Sequence, residues 1–155
     1  MDPVIVGFSG TRKGMTSAQQ DFMRHRMMVG AEQAKIIGCV HGGCIGSDVD
    51  FHFIALAARL RIECYPSNVA DTQGYCPRAD VTYEASDPVE RDHIIVDQSN
   101  ILMATPRGYK EELRSGTWLT IRYAMKQGKP VWVVWPDGVP ERWTGQAKER
   151  ERSAK

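Results

Sequence analysis

The residues of this chain best suited to chemistry are glycines set beside hydroxyls, acids and arginines, in four short stretches. The first is Gly7-Phe8-Ser9-Gly10-Thr11-Arg12. Its glycines let the backbone approach a ligand closely. Ser9 and Thr11 offer hydroxyls, and Arg12 offers a forked cation that matches a phosphate. The plainer reading is a strand-to-helix turn with a surface arginine. The second is Gly42-Gly43-Cys44-Ile45-Gly46-Ser47-Asp48, followed by His52. A glycine loop feeding a helix exposes free N–H groups at the positive end of the helix dipole and makes an anion seat. The spacing is neither a Walker A loop nor a strict GxGxxG. Asp48 serves either as the helix cap or as an acceptor for ribose hydroxyls. His52 follows one turn later on the same face, as a structural or a catalytic histidine.

The third stretch, Ser115-Gly116-Thr117 with Trp118, Thr120 and Arg122 beyond, reads as a second phosphate cradle at a helix start, or as a simple cap at Ser115 or Thr117. The fourth is Glu90-Arg91-Asp92-His93, just ahead of the apolar Ile94-Ile95-Val96. In a helix that is largely buried Arg91 must point at something specific, and the rim of a site is the natural place.

The elements that must carry these residues follow from the periodicity. Strands are expected at 4–8, 36–41, 61–65, 100–105 and 131–135, and helices at 16–37, 49–58, 88–98 and 116–127. Residues 67–87 read as one long polar loop, a length that usually marks function or mobility. Strand and helix alternate and the strands are nearly continuous apolar runs. That predicts a three-layer, Rossmann-like α/β fold with a mostly parallel sheet of about five strands. Ligands of such sheets sit beyond the carboxyl ends of the strands, where Ser9, Gly42, Thr105 and Gly116 fall. One domain is expected over residues 1–140, with a charged tail over 141–155.

Composition narrows the partners. Lys plus Arg is 20 and Asp plus Glu is 19, so the basic excess of a duplex-DNA binder is missing and nucleic acid is an unlikely partner. No apolar run is long enough for a bilayer, and the opening Met1-Asp2-Pro3-Val4-Ile5-Val6 is too short and acidic for a leader. Cys39, Cys44, Cys64 and Cys76 form no CxxC pair, which points to reduced thiols in the cytoplasm. No metal is expected, since His41 and Cys44 belong to no ligand set of the usual spacing; no cofactor is expected either. Trp118, Trp132, Trp135 and Trp143 cluster late in the chain, and Met23, Met27 and Met28 add apolar surface. These predict a homo-oligomer, most simply a dimer, against the alternative that the rings fill the core.

The four motifs in this order resemble the superfamily, often called SLOG, that joins the DNA-processing protein A (Smf) proteins with the "lonely guy" phosphoribohydrolases. The resemblance covers about residues 4–138. Gly43 to Asp50 with His52 and Ala55, and Ser115-Gly116-Thr117 with Thr120 and Ala124, look like the glycine motifs of the DNA-processing branch. Pro88-Val89-Glu90-Arg91 and the run from Ser99 to Pro106 are similar to the Glu-x-Arg helix and following strand of the phosphoribohydrolases. The resemblance implies a nucleotide-like ligand held by Ser9, Gly10, Thr11, Arg12, Gly42, Gly43, Gly46, Ser47, Asp48, Arg91, Ser115, Gly116 and Thr117. In the phosphoribohydrolases an arginine, matched by Arg91, and a glutamate cut the N-glycosidic bond of a nucleoside 5′-monophosphate. Thr120 stands where that glutamate belongs, and the insertion 107–114 displaces two glycines of the motif. Hydrolysis would then need a carboxylate from Asp48, Glu90 or Glu84; without one the protein would be a sensor or carrier of a nucleotide or an ADP-ribose-like ligand. Single-stranded DNA binding is the weaker third reading.

Overall fold

The computed structural model describes residues 2–146. Its elements run β1 (Val4–Gly10), α1 (Ser17–Glu32), β2 (Ile36–His41), α2 (Ser47–Ala57), β3 (Arg61–Cys64), β4 (Val81–Thr82), α3 (Pro88–Asp97), β5 (Ile101–Thr105), α4 (Gly116–Lys126), β6 (Val131–Val134) and β7 (Pro140–Arg142). The sheet order is β4-β3-β2-β1-β5-β6-β7, parallel throughout except for β7, which runs antiparallel to β6. The α/β, mostly parallel fold is as expected, with seven strands in place of about five.

Both additional strands are short pairings made by tertiary contact. β4 lies inside the segment expected to be a structureless loop, where Val81 and Thr82 pair with Glu63 and Cys64. β7 lies past the boundary expected at residue 140 and contributes buried Glu141. Residues 147–155, most of the expected tail, lie outside the described residues.

Local signals explain the helix limits. Thr16 and Gln19 form a reciprocal capping box at the start of α1. Gln19 is itself buried, and its amide donates to the carbonyls of Pro106 and Val134, tying α1 to the ends of β5 and β6. The helix stops at Glu32, five residues short of the expected end, because Ala34 takes a left-handed φ of 55° and Lys35 N–H bonds back to Gly30.

The chain winds outward from β1 through β2, β3 and β4, then returns to place β5 on the other side of β1. α1 and α2 pack with Val6 and Phe8 of β1 on one face. On the other face α4 packs with β5 and β6, and α3 lies against α4. The crevice between the carboxyl ends of β1 and β5 is the switch point where such sheets bind ligands.

The tryptophans belong to the core. Trp118, Trp135 and Trp143 are 0%, 1% and 5% exposed and pack as one cluster with Ile121 and Val133. Trp143 caps that cluster and does not lie outside the fold. Met23 and Met27 are also buried, whereas Met28 is exposed. Three of the four rings that motivated a dimer are therefore buried within one chain, and Trp132 is half-buried. No helix among the described residues is long and apolar enough to cross a membrane.

Candidate functional site

A cavity of about 520 Å³ opens at the switch point. Ser9, Gly10, Thr11 and Arg12 supply one wall as β1 ends, and Ser115, Gly116 and Thr117 supply the opposite one. Cys44 comes from the β2–α2 connection, Asp48 from the first turn of α2, and Arg91 and Asp92 from α3. The stretches 7–12 and 115–117 therefore meet around one volume in most of their members, and the stretch 90–93 joins them through Arg91 and Asp92. The fourth, the glycine loop of residues 42–48, reaches it only through Cys44 and Asp48.

Gly42, Gly43, Gly46 and Ser47 do not line the cavity and are closely packed against their neighbours. A Cβ on Gly42 would strike the Arg91 guanidinium. Gly46 is the N-cap of α2 at φ 90°, pressed on the backbone carbonyl of Arg12, where any side chain is excluded by strain and contact together. Ser47 is fully buried, and its hydroxyl and N–H both donate to the Thr11 carbonyl, at 2.6 and 3.0 Å. The loop is a close-packed joint between β1, α2 and α3.

Asp48 is not the cap. Its carboxylate turns back and accepts the Cys44 N–H at 3.0 Å. It is 7% exposed, and burial raises its pKa to about 6 against the bonds from Cys44 N–H and the charge of Arg91. Arg91, 6% exposed, does something other than wait for a phosphate. Its Nη1 donates to the carbonyls of Gly42 at 3.1 Å and Tyr65 at 3.4 Å, and both Nη atoms reach Cys44 Sγ at 3.4 Å. Its Nε lies 2.8 Å from Asp92 Oδ1 but is not aligned as a hydrogen bond, so that contact is Coulombic. Arg91 is a strut joining β2, β3 and α3, with one edge at the cavity.

Glu90 does not enter the cavity; it is exposed on α3, as is Glu84 in the preceding loop. Asp92, which residue type alone did not single out, takes that place. Burial raises its pKa, opposed first by Arg91 and then by the Thr120 hydroxyl, which lies within hydrogen-bonding reach. The carboxylate on α3 thus stands beside the threonine of α4.

The insertion 107–114 folds over the mouth. Arg107, Glu112 and Arg114 line the cavity, and Arg107 grips Glu112 through Nε and Nη2. Arg12 and Arg114 are exposed and have no ion-pair partner among the described residues. At α4 the Ser115 hydroxyl caps the Trp118 N–H, which leaves the Gly116 and Thr117 amides at the cavity wall. Replacing Ser115 with alanine should lower stability by about 1 kcal/mol. Urea unfolding checks this; a loss below a few tenths would mean that the cap is replaced by water.

His52 is structural by its bonding. Gly43 N–H donates to His41 Nδ1 at 2.9 Å, so His41 carries its proton on Nε2. That proton faces His52 Nδ1 at 3.0 Å, and His52 Nε2 then donates to the Pro77 carbonyl at 2.7 Å. Both rings are fully buried and do not line the cavity.

No protein-family model and no curated protein sequence matches the chain. Solved structures do. The molybdenum cofactor binding protein from the phototrophic bacterium Rippkaea orientalis is 19% identical with a TM-score of 0.65, over 87% of this chain and 77% of that one. The molybdenum cofactor carrier protein from Chlamydomonas reinhardtii is 22% identical with a TM-score of 0.63, over 86% and 76%. DNA processing protein A from Streptococcus pneumoniae is 18% identical with a TM-score of 0.59, over 85% of this chain but 50% of its own length. The chain shares the Rossmann-like α/β fold of these structures.

Proposed function

We propose that this protein binds a phosphorylated, nucleotide-like small molecule in the cavity between β1 and β5, with its phosphate at the start of α4. The observation that carries this reading is that Arg12 and Arg114, neither with an ion-pair partner among the described residues, line one cavity together with Gly116 and Thr117 at the start of α4. Helix-terminal N–H groups and free guanidinium forks are complementary to a phosphate. Ser9 and Thr11 add hydroxyls beside them, and Asp48 and Asp92 at the far wall suit sugar hydroxyls or a base amino group. The volume, about 520 Å³, suits a nucleotide-sized guest. Two of the similar structures are described as binding or carrying the molybdenum cofactor, which favours a small-molecule ligand here too.

Calorimetry across nucleoside mono-, di- and triphosphates, cyclic nucleotides and ADP-ribose tests the reading. Binding of at least one is expected; silence from all of them at millimolar concentration would refute it. Arg12→Ala or Arg114→Ala should weaken the best ligand by about 1.5–3 kcal/mol each, roughly 10- to 150-fold, with little change in stability. Wild-type affinity in both variants would put the phosphate elsewhere.

Hydrolysis of the N-glycosidic bond of a nucleoside 5′-monophosphate is the second reading, and Asp92 beside Thr120 favours it. As that bond breaks, positive charge grows on the ribose carbon and water adds to it; the base departs with a proton. A carboxylate stabilises the charge or takes the proton from water. Asp92 and Asp48 at the cavity would take those roles, with Arg91 Nε 2.8 Å from Asp92 Oδ1. Free base released from a bound monophosphate, and lost in Asp92→Asn, distinguishes enzyme from carrier.

A further inference from the structure

Behind the glycine loop, away from the cavity, His41, His52 and Cys76 bring one ligand atom each to within 4.8 Å of one another. They come from the end of β2, the middle of α2 and the segment before β4, so their chain spacing matches no familiar ligand pattern. Their chemistry does match one. Two imidazoles and a thiolate suit zinc-class divalent ions.

We propose that His41 Nε2, His52 Nδ1 and Cys76 Sγ bind one zinc-class divalent ion, with a fourth position left to water or to the neighbouring thiol of Cys64. The two nitrogens stand 3.0 Å apart across a single proton. A tetrahedral ion with bonds of about 2.0–2.1 Å sets its nitrogens about 3.3 Å apart, so the rings need part only slightly. His52 is already oriented as a ligand: Nε2–H is held by the Pro77 carbonyl, and Nδ1 faces the cluster. Cys64 Sγ and Cys76 Sγ both border Gly43, which puts a second thiol beside the cluster.

The protons balance. The ion takes the place of the proton between the rings; His41 moves that proton to Nδ1, and Cys76 gives up its thiol proton to solvent. One proton is released per ion. Gly43 N–H, which now donates to His41 Nδ1, must turn away to admit the new N–H. The Gly42 carbonyl belongs to the same peptide and turns with it, giving up its bond from Arg91 Nη1, at a pair of residues with no Cβ to obstruct the rotation.

Cobalt(II) added to the reduced, full-length protein provides the test. A thiolate-to-cobalt charge-transfer band should grow to saturation at one equivalent, vanish on addition of zinc, and accompany release of one proton. Cys76→Ser should abolish the band, and His52→Gln should keep it while weakening binding on the order of 100-fold or more. If either variant fails to fold, zinc should still slow modification of Cys76 by iodoacetamide in the wild-type chain, read by peptide mass. No charge-transfer band in the wild type, a band undiminished in Cys76→Ser, or modification of Cys76 indifferent to zinc would overturn the proposal and leave the histidine pair a purely structural bridge.

Discussion

Arg91→Met is expected to cost about 3–5 kcal/mol at neutral pH, a large share of the stability of a domain this size. The side chain is 6% exposed, so methionine fills much of its volume and little of the loss is apolar. What disappears is a fork that satisfies the Gly42 and Tyr65 carbonyls and faces the buried Asp92 carboxylate. Unmet buried carbonyls and an uncompensated acid each carry a desolvation penalty. Arg91→Lys keeps the charge but offers a single point donor, and should recover only part of the loss. Urea unfolding at constant pH measures both. A methionine variant within 1 kcal/mol of wild type would show that water takes over those contacts and that Arg91 is no strut. The pattern across variants is equally informative. Arg12→Ala and Arg114→Ala should lower affinity and spare stability, whereas Arg91→Met should lower both, because it dismantles the joint that positions Asp48 and Cys44.

The roles of Arg91 and of the glycine loop were also the least legible in the sequence, for a definable reason. Residue type showed that Gly42, Gly43 and Gly46 admit something close, but not what. A close approach by a phosphate and one by a guanidinium or a neighbouring carbonyl leave the same mark in the chain. Glu90 and Asp92 differ by two helical positions, a little more than a half-turn. Choosing the cavity-facing acid needs the rotation of α3, and that is set by Ile95 packing with Val40 and Tyr65. Residues of β1 and α4 were easier, because a strand end and a helix start have only one direction in which to present Ser9 or Gly116. The alternation of elements revealed the parallel sheet. The two short strands, β4 and β7, were invisible because Val81, Thr82 and Pro140–Arg142 carry no periodicity of their own and pair only where a neighbouring edge is available. A cluster of large rings near the chain end reads alike as interface or as core until β7 is seen to fold Trp143 back over Trp118.

Asp48→Asn should change the pH dependence of stability more than any other conservative replacement in the cavity. In the folded chain the Asp48 pKa is raised to about 6 from an ordinary value of 3.8, chiefly by burial. Folding therefore favours the protonated acid. Its contribution is fully present below pH 3.8, fades as pH rises, and is gone above about pH 6. A shift of this size corresponds to about 3 kcal/mol across that window. His41 works in the opposite direction. Its pKa is lowered to about 3, so the stability it contributes is present above pH 6.5 and is lost as pH falls. The wild-type profile is the sum of the two and can look nearly flat. The difference between wild type and Asp48→Asn removes the histidine part and isolates the acid. Asparagine can still accept the Cys44 N–H, so the two proteins should be close in stability at pH 4, and the variant should gain on wild type by about 3 kcal/mol on reaching pH 7. Urea unfolding at half-unit steps of pH measures the difference directly. A constant offset from pH 4 to 7 would mean that Asp48 titrates as an ordinary surface acid. A rising offset together with weaker ligand binding would mean that the chain accepts a cost in stability to keep a carboxylate of near-neutral pKa at its cavity, as a proton-transferring group requires.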